Sequence, residues 1–310
     1  MQSANSRFQL FRAIVLLVLA NLLWAGQGVA VKMLNSEMTP IAIALLPLYL
    51  VTLLLAPLIL TRRQSHHNRL GTAWRHRNQF IIAGVGGQFV AQAGMTLGIS
   101  RSLAANGAIL NLLVPILSAF IASLLLRERL TLLRVGALLF GLAGVVLLSP
   151  THWSSSFAPS PFRGSTGNLL IVCGCLGSAF YNVYSKQLLN DFSEVDVLFF
   201  SYVTAALFSI PLLFSLDPHC LSRLGTLMPR QWIAFSFLAI FMYGVSMLLF
   251  LHALRYVNVI VASASLYLVP IFGVFLAVAM LGERISPQTF FGFGVVLLGM
   301  LATLRNDYAV

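Results

Sequence analysis

Gln88 and Gln92 stand four residues apart in the middle of a long apolar run, and Met95 follows three further on. On a helix these three form one narrow stripe. An amide inside such a run is costly unless it meets another polar group or a cavity. Comparable faces recur along the chain. Asn21, Trp24 and Gln27 share a broad arc, and Asn111 joins the set in a later run. Ser178, Tyr181 and Ser185 share a face, with Asn182 and Tyr184 at its edges. Tyr243 and Met247 are four apart, and Ser263, Tyr267 and Pro270 line up. The chemistry on offer is neutral: amides, hydroxyls, aromatic rings and thioethers. Such groups suit a neutral polar organic molecule, and the rings of Trp24, Tyr181, Tyr243 and Tyr267 could hold a cation by π-attraction.

Other chemistry is poorly supplied. Metal-assisted transfer to a prenyl or lipid-linked acceptor needs clustered acids. The acids here are scattered, and only Asp191, Glu194 and Asp196 stand close together, which reads as a solvated acidic loop. His66, His67 and His76 lie in a basic stretch that disfavours a metal cation. Cys173, Cys175 and Cys220 are odd in number, so a complete disulfide framework is impossible, and they read as small packing residues. No cofactor and no metal are expected. An integral membrane enzyme acting on a lipid-linked or prenyl substrate is the alternative reading, and the chain is expected not to be an enzyme.

The elements that carry these faces follow from composition. Of 310 residues, 59% are hydrophobic and only 9% charged. A soluble domain carries about 25% charged residues, so lipid must cover this core. Ten apolar runs approach the ~20 residues that span a bilayer: 13–32, 40–60, 80–99, 105–126, 132–148, 168–189, 197–216, 232–254, 259–281 and 289–304. The connectors are mostly brief, with three longer ones at 61–79, 150–167 and 217–231, and none reads as a soluble domain. The net charge of +11 reads as positive-inside bias, with no base-stacking surface for nucleic acid. A cytoplasmic N-terminus puts most Lys and Arg on one side, including Arg62, Arg63, Arg69, Arg75 and Arg77. Both termini are then cytoplasmic in a multi-pass protein of a bacterial inner membrane. Expected partners are a small-molecule substrate and membrane lipid, with a homodimer left open.

The two halves of the chain match each other. Val114-Pro115 through Arg127-Glu128-Arg129-Leu130-Thr131 aligns with Val269-Pro270 through Gly282-Glu283-Arg284-Ile285-Ser286. Gly144 falls on Gly299, Lys32 on Lys186 and Leu34 on Leu188. The same registers place Gln88 on Tyr243 and Gln92 on Met247. Five helices are an odd number, so the second half enters the membrane from the opposite side. The fold class expected is an all-α membrane protein of ten helices, as two inverted five-helix repeats, 1–155 and 156–310. Inverted repeats are a transporter architecture, because two similar halves of opposite orientation can exchange conformations. The symmetry also maps Lys32 and Glu283, near the outer helix ends, onto Lys186 and Glu128, near the inner ends. Each combination is expected to help close its own side.

This pattern resembles the drug/metabolite transporter superfamily, in its ten-helix EamA-type members. The resemblance rests on Trp24 with Gly26, on Ala253-Leu254-Arg255-Tyr256, and on Pro270 followed by Leu281-Gly282-Glu283-Arg284-Ile285-Ser286. The first half departs where Arg127 replaces the glycine before Glu128, and Gly98-Ile99-Ser100-Arg101 is a weak version of the Arg255 segment. The resemblance implies a cavity lined by helices 1, 3, 4, 6, 8 and 9, and export of a small polar metabolite such as an amino acid or derivative by alternating access.

Overall fold

The computed structural model describes residues 2–61, 66–101, 110–148, 165–281, 291, 294–295 and 297–299. Every regular element among them is a helix, the form that satisfies its own backbone in lipid. We label the principal columns in chain order. α1 is Gln2–Ala25, continued as Gln27–Leu34, and α2 is Pro40–Thr61. α3 comprises Arg77–Ile81, Ile82–Phe89 and Val90–Ser100; α4 is Leu113–Leu125 and α5 is Leu132–Leu148. α6 is Ser165–Leu188 and α7 is Glu194–Leu216. α8 comprises Pro229–Ser236, Phe237–Val245 and Ser246–Leu254; α9 comprises Val259–Ala264, Ser265–Tyr267 and Leu268–Leu281. Six stretches, within α1, α2, α3, α6, α7 and α8, are long and apolar enough to cross a membrane, and α4 and α9 carry shorter apolar helices. Most of the tenth run, 289–304, lies outside the described residues.

The packing follows a pseudo-twofold pattern. α1 packs on α8 and α9, and α6 packs on their counterparts α3 and α4. α2 meets α8 as α7 meets α3, and α2 and α7 meet each other across the axis. Among the described residues α5 packs chiefly on α4 and α9.

Two irregularities repeat with the halves. Ile82–Phe89 in α3 and Phe237–Val245 in α8 are π-helical, and their first residues are 155 positions apart. Such turns are rare and concentrate at functional sites. The second irregularity precedes a proline. Ser265–Tyr267 tightens to a 3₁₀ turn ahead of Pro270, and α4 opens with a turn at Leu112 ahead of Pro115. Proline lacks the N–H that would bond four residues back, and its ring crowds that carbonyl. Each half thus disturbs the same two helices at the same heights.

Candidate functional site

The π-helical segments put a polar cluster at the meeting of α3 and α8. Tyr243, only 3% exposed, brings its hydroxyl to 2.8 Å from Gln92 Oε1 and 2.9 Å from the Ala44 carbonyl. One phenolic proton cannot serve both acceptors. With the Gln92 amide turned, its NH₂ donates to the Tyr243 oxygen, and the hydroxyl donates to Ala44. The contact joins the two halves, and α2 supplies its third partner.

Around it lie further buried hydroxyls and amides. Tyr181 is fully enclosed, with Ser201 and Gln88 as its polar neighbours. Tyr202 donates to the Tyr243 carbonyl at 3.0 Å. Asn21 bridges α1 to α9, donating to the Leu17 carbonyl at 2.7 Å and to Ser265 Oγ at 2.9 Å, while its Oδ1 is unpaired. Ser263 and Tyr267, both buried, also have unpaired hydroxyls. The Trp24 ring leans on Phe250 of α8, centroids 5.3 Å apart.

The structure therefore buries Asn21, Gln88, Tyr181, Tyr243, Ser263 and Tyr267, and half-buries Trp24, Gln92, Ser178 and Met247. Gln27 and Asn111 are exposed, and among the described residues no hydrogen bond ties either to the cluster. An apolar groove of about 340 Å³, lined by Gly86, Val90, Ile121, Leu176 and Phe180, opens between α3, α4 and α6. Its lining offers almost no polar surface to a hydrogen-bonding solute.

Sequence reasoning misses α7. Its Ser201, Tyr202, Ala205 and Ser209 are all buried, and the 201, 205, 209 spacing is a small-residue stripe of the kind that reveals the other faces. The Thr204 hydroxyl on the same helix lies 2.9 Å from the Phe80 carbonyl of α3 and as close to the Ser201 carbonyl of its own helix.

The Lys186/Glu128 combination grips a turn. Glu128 accepts from the backbone N–H groups of Val259 at 2.7 Å and Ile260 at 3.1 Å, so its carboxylate caps the first turn of α9. Lys186 donates to the carbonyls of Leu254 and Val257 at the end of α8, the latter at 2.9 Å. Burial pushes the Glu128 carboxyl above its ordinary range, and the two N–H bonds and the Lys186 charge pull it back. α4 reaches this position by ending on Arg127 with φ of 56°, a left-handed backbone that favours glycine. Its repeat counterpart is Gly282, which accounts for that departure between the halves. The Lys32 side chain and Glu283 lie outside the described residues.

A second knot stands beside this one. Glu194 Oε1 accepts from Arg255 Nε at 2.6 Å and lies 2.8 Å from His252 Nδ1. The Arg255 guanidinium also donates to the carbonyls of Leu189 at 3.0 Å and Phe192 at 2.7 Å. Asp196, expected in a solvated acidic loop, is buried and forms a capping box with Ser193. The ends of α6 and α8 and the start of α7 are thereby tied together. At the far ends of α2 and α7, Thr39 donates to Asp217 at 2.6 Å, and Arg223 lies 3.6 Å from the same carboxylate.

A polytopic helical bundle whose two halves repeat their contacts and their irregularities around an uncharged polar centre is built as a membrane transporter. Comparison with known proteins gives the family. The model of the EamA-like transporter family matches twice, at residues 11–149 and 165–305. The chain belongs to that family, within the drug/metabolite transporter superfamily. It is 24% identical over 292 residues to an uncharacterized transporter of Archaeoglobus fulgidus, covering 94% of this chain and 98% of that protein. It is 20% identical over 225 residues to a probable terminal-alkyne amino-acid exporter of Streptantibioticus cattleyicolor, covering 73% of this chain and 72% of that one. A crystal structure of a protein with 21% identity shares the fold, with a TM-score of 0.78 over 96% of this chain and 98% of the other.

Proposed function

We propose that this transporter exports a small uncharged or zwitterionic metabolite, such as an amino acid or derivative, from the cytoplasm by alternating access. The observation that carries the reading is the Gln92–Tyr243 contact, which joins the halves with Tyr243 inside the π-helical segment of α8 and Gln92 in the α-helical turn that follows the π-helical segment of α3. A solute that takes up these groups competes with the contact and so senses the relative position of the halves. Unpaired buried hydroxyls cost about 1–3 kcal/mol each, and a hydrogen-bonding solute would relieve that cost at Ser263 and Tyr267. Among the described residues no carboxylate or cationic side chain stands in this cluster, which favours a solute without net charge. The Streptantibioticus exporter, named for an amino-acid substrate, supports the same class. On this reading the protein sits in a bacterial inner membrane with both termini cytoplasmic, and it acts as a carrier rather than an enzyme.

Flux of radiolabelled uncharged L-amino acids in proteoliposomes, with and without a pH gradient, tests the proposal. Saturable flux of at least one member is expected. Replacing Gln92 by Ala or Tyr243 by Phe is expected to lower it about tenfold while the protein still inserts, the weight of one buried hydrogen bond at about 1.4 kcal/mol. Wild-type flux in both variants would move the site elsewhere.

A further inference from the structure

We infer that Tyr202 and Ser246 are positioning residues that hold α8 in its π-helical register, and that this register is what sets Tyr243 on Gln92. The inference rests on the reading of Gln92 and Tyr243 as part of the substrate site, and it adds α7, a helix not expected at that site.

Backbone hydrogen bonding at the end of the π segment is the starting point. The Ser246 N–H reaches the Phe241 carbonyl, five residues back, and closes the segment. α-Helical register resumes at Ser246. The Ser246 N–H thereby passes over the Met242 carbonyl, its partner in α-helical register. A buried carbonyl without a donor is expensive, and the Ser246 hydroxyl donates to that very carbonyl. One residue along, the fully buried Tyr202 hydroxyl reaches across from α7 to the Tyr243 carbonyl at 3.0 Å. Two side-chain donors therefore serve two successive carbonyls where the register changes. Annealing the segment into α-helix would remove the need for the first and displace the acceptor of the second. It would also turn the chain by about 100° per residue of slip, which carries the Tyr243 side chain away from Gln92 and Ala44. Tyr202 thus touches the backbone of the residue whose side chain makes the contact between halves, and acts through it.

The symmetric segment in α3 is held differently. There the Thr204 hydroxyl, also on α7, lies 2.9 Å from the Phe80 carbonyl ahead of Ile82–Phe89, and its one proton is shared among that carbonyl and those of Phe200 and Ser201 on its own helix. α7 thus touches α3 ahead of its π segment and α8 within its own, and only the α8 contact sits on a residue of the polar contact.

A double-mutant cycle on thermal unfolding in detergent tests this without any solute. Tyr202→Phe, which keeps the ring, and Gln92→Ala are each expected to lower the unfolding temperature by about 2–4 °C. If Tyr202 works through Tyr243, the double variant falls no further than the worse single one. In a Tyr243→Phe background the Tyr202→Phe and Gln92→Ala losses become additive. A merely structural Tyr202 gives additive losses in both backgrounds, which would overturn the inference. Should Tyr202→Phe fail to fold, the cycle run with Ser246→Ala decides. In proteoliposomes loaded with the uncharged L-amino acids, Tyr202→Phe is expected to raise KM about threefold to tenfold at nearly unchanged maximal rate. Wild-type transport by Gln92→Ala and Tyr243→Phe alongside a non-additive cycle would sink the substrate-site reading and leave the positioning role standing.

Discussion

The α3–α6 seam and the α8–α1 seam are pseudo-symmetric mates, yet they are made of different material. Along α3–α6 the backbones touch. A Cβ added to Gly94 would lie 2.7 Å from Gly174 N, and one added to Gly174 would lie 2.6 Å from Met95 N. Gly98 and Gly177 are as tight against the backbones of Ile171 and Ala91. At the matching places, α8 and α1 carry Leu249 for Gly94, Ala20 for Gly174 and Ala253 for Gly98. That seam is built of side chains, including the tilted Trp24–Phe250 pair. Close backbone contact gains dispersion without side-chain freedom and suits association in lipid. Interleaved side chains can exchange rotamers and slide. The fold is symmetric but its packing is not, so on the proposed alternating access α1 and α8 are expected to shift more than α3 and α6.

The largest expected effect is at the glycine seam. Gly174→Ala must push the α3 and α6 backbones apart, an overpacking that costs about 1–3 kcal/mol. Ala20→Gly, its mate, should cost only about 1 kcal/mol of helix propensity. Unfolding temperatures of the pair in one detergent check this, and equal losses would erase the contrast between seams.

The Glu128 clasp ranks next. Glu128→Ala leaves the Val259 and Ile260 N–H groups without their cap and should cost about 0.5–2 kcal/mol. Glu128→Gln keeps an acceptor and sheds the buried charge, so it should cost less. The pH dependence has a definite sign. Burial raises this carboxyl above its ordinary 4.5 in the folded protein, so the folded state holds the proton more readily than the unfolded chain. That contribution is complete below pH 4.5 and is lost as pH rises through the raised value. The stability of Glu128→Gln relative to wild type should therefore improve over that window, and a gap that widens against Gln as pH rises would contradict the assignment.

The smallest effect belongs to Gly26. A Cβ there meets the far end of the Phe237 ring at 2.7 Å, not a backbone. The ring can swing, and alanine adds about 1 kcal/mol of helix propensity. Gly26→Ala should leave the unfolding temperature almost unchanged, and a loss as large as that of Gly174→Ala would show that α1 is as rigidly seated as α6.

Much of this plan is legible in the sequence. The 155-residue register is visible in Val114-Pro115 and Val269-Pro270, because proline and its disturbance of the preceding turn are a local, side-chain signal. The π segments are not, because five-residue register leaves no mark in composition: Ile82–Phe89 reads as any apolar helix. Glu128 reads as a residue at a helix end, but its partners are backbone N–H groups on a distant helix, which no spacing reveals. Asp196 could be found, since Ser193-x-x-Asp196 is the pattern of a capping box. α7 escapes notice because its polar residues are small hydroxyls diluted among large apolar side chains.

Alternating access itself is tested most directly at Met247, the half-buried repeat mate of Gln92. In a protein whose Cys173, Cys175 and Cys220 are replaced by alanine, Met247→Cys can be titrated with a membrane-impermeant thiol reagent in right-side-out and inverted vesicles. Labelling from both sides is predicted, with a transported amino acid shifting the balance between them. Labelling from one side only under all conditions, or from neither, would contradict alternating access at this site.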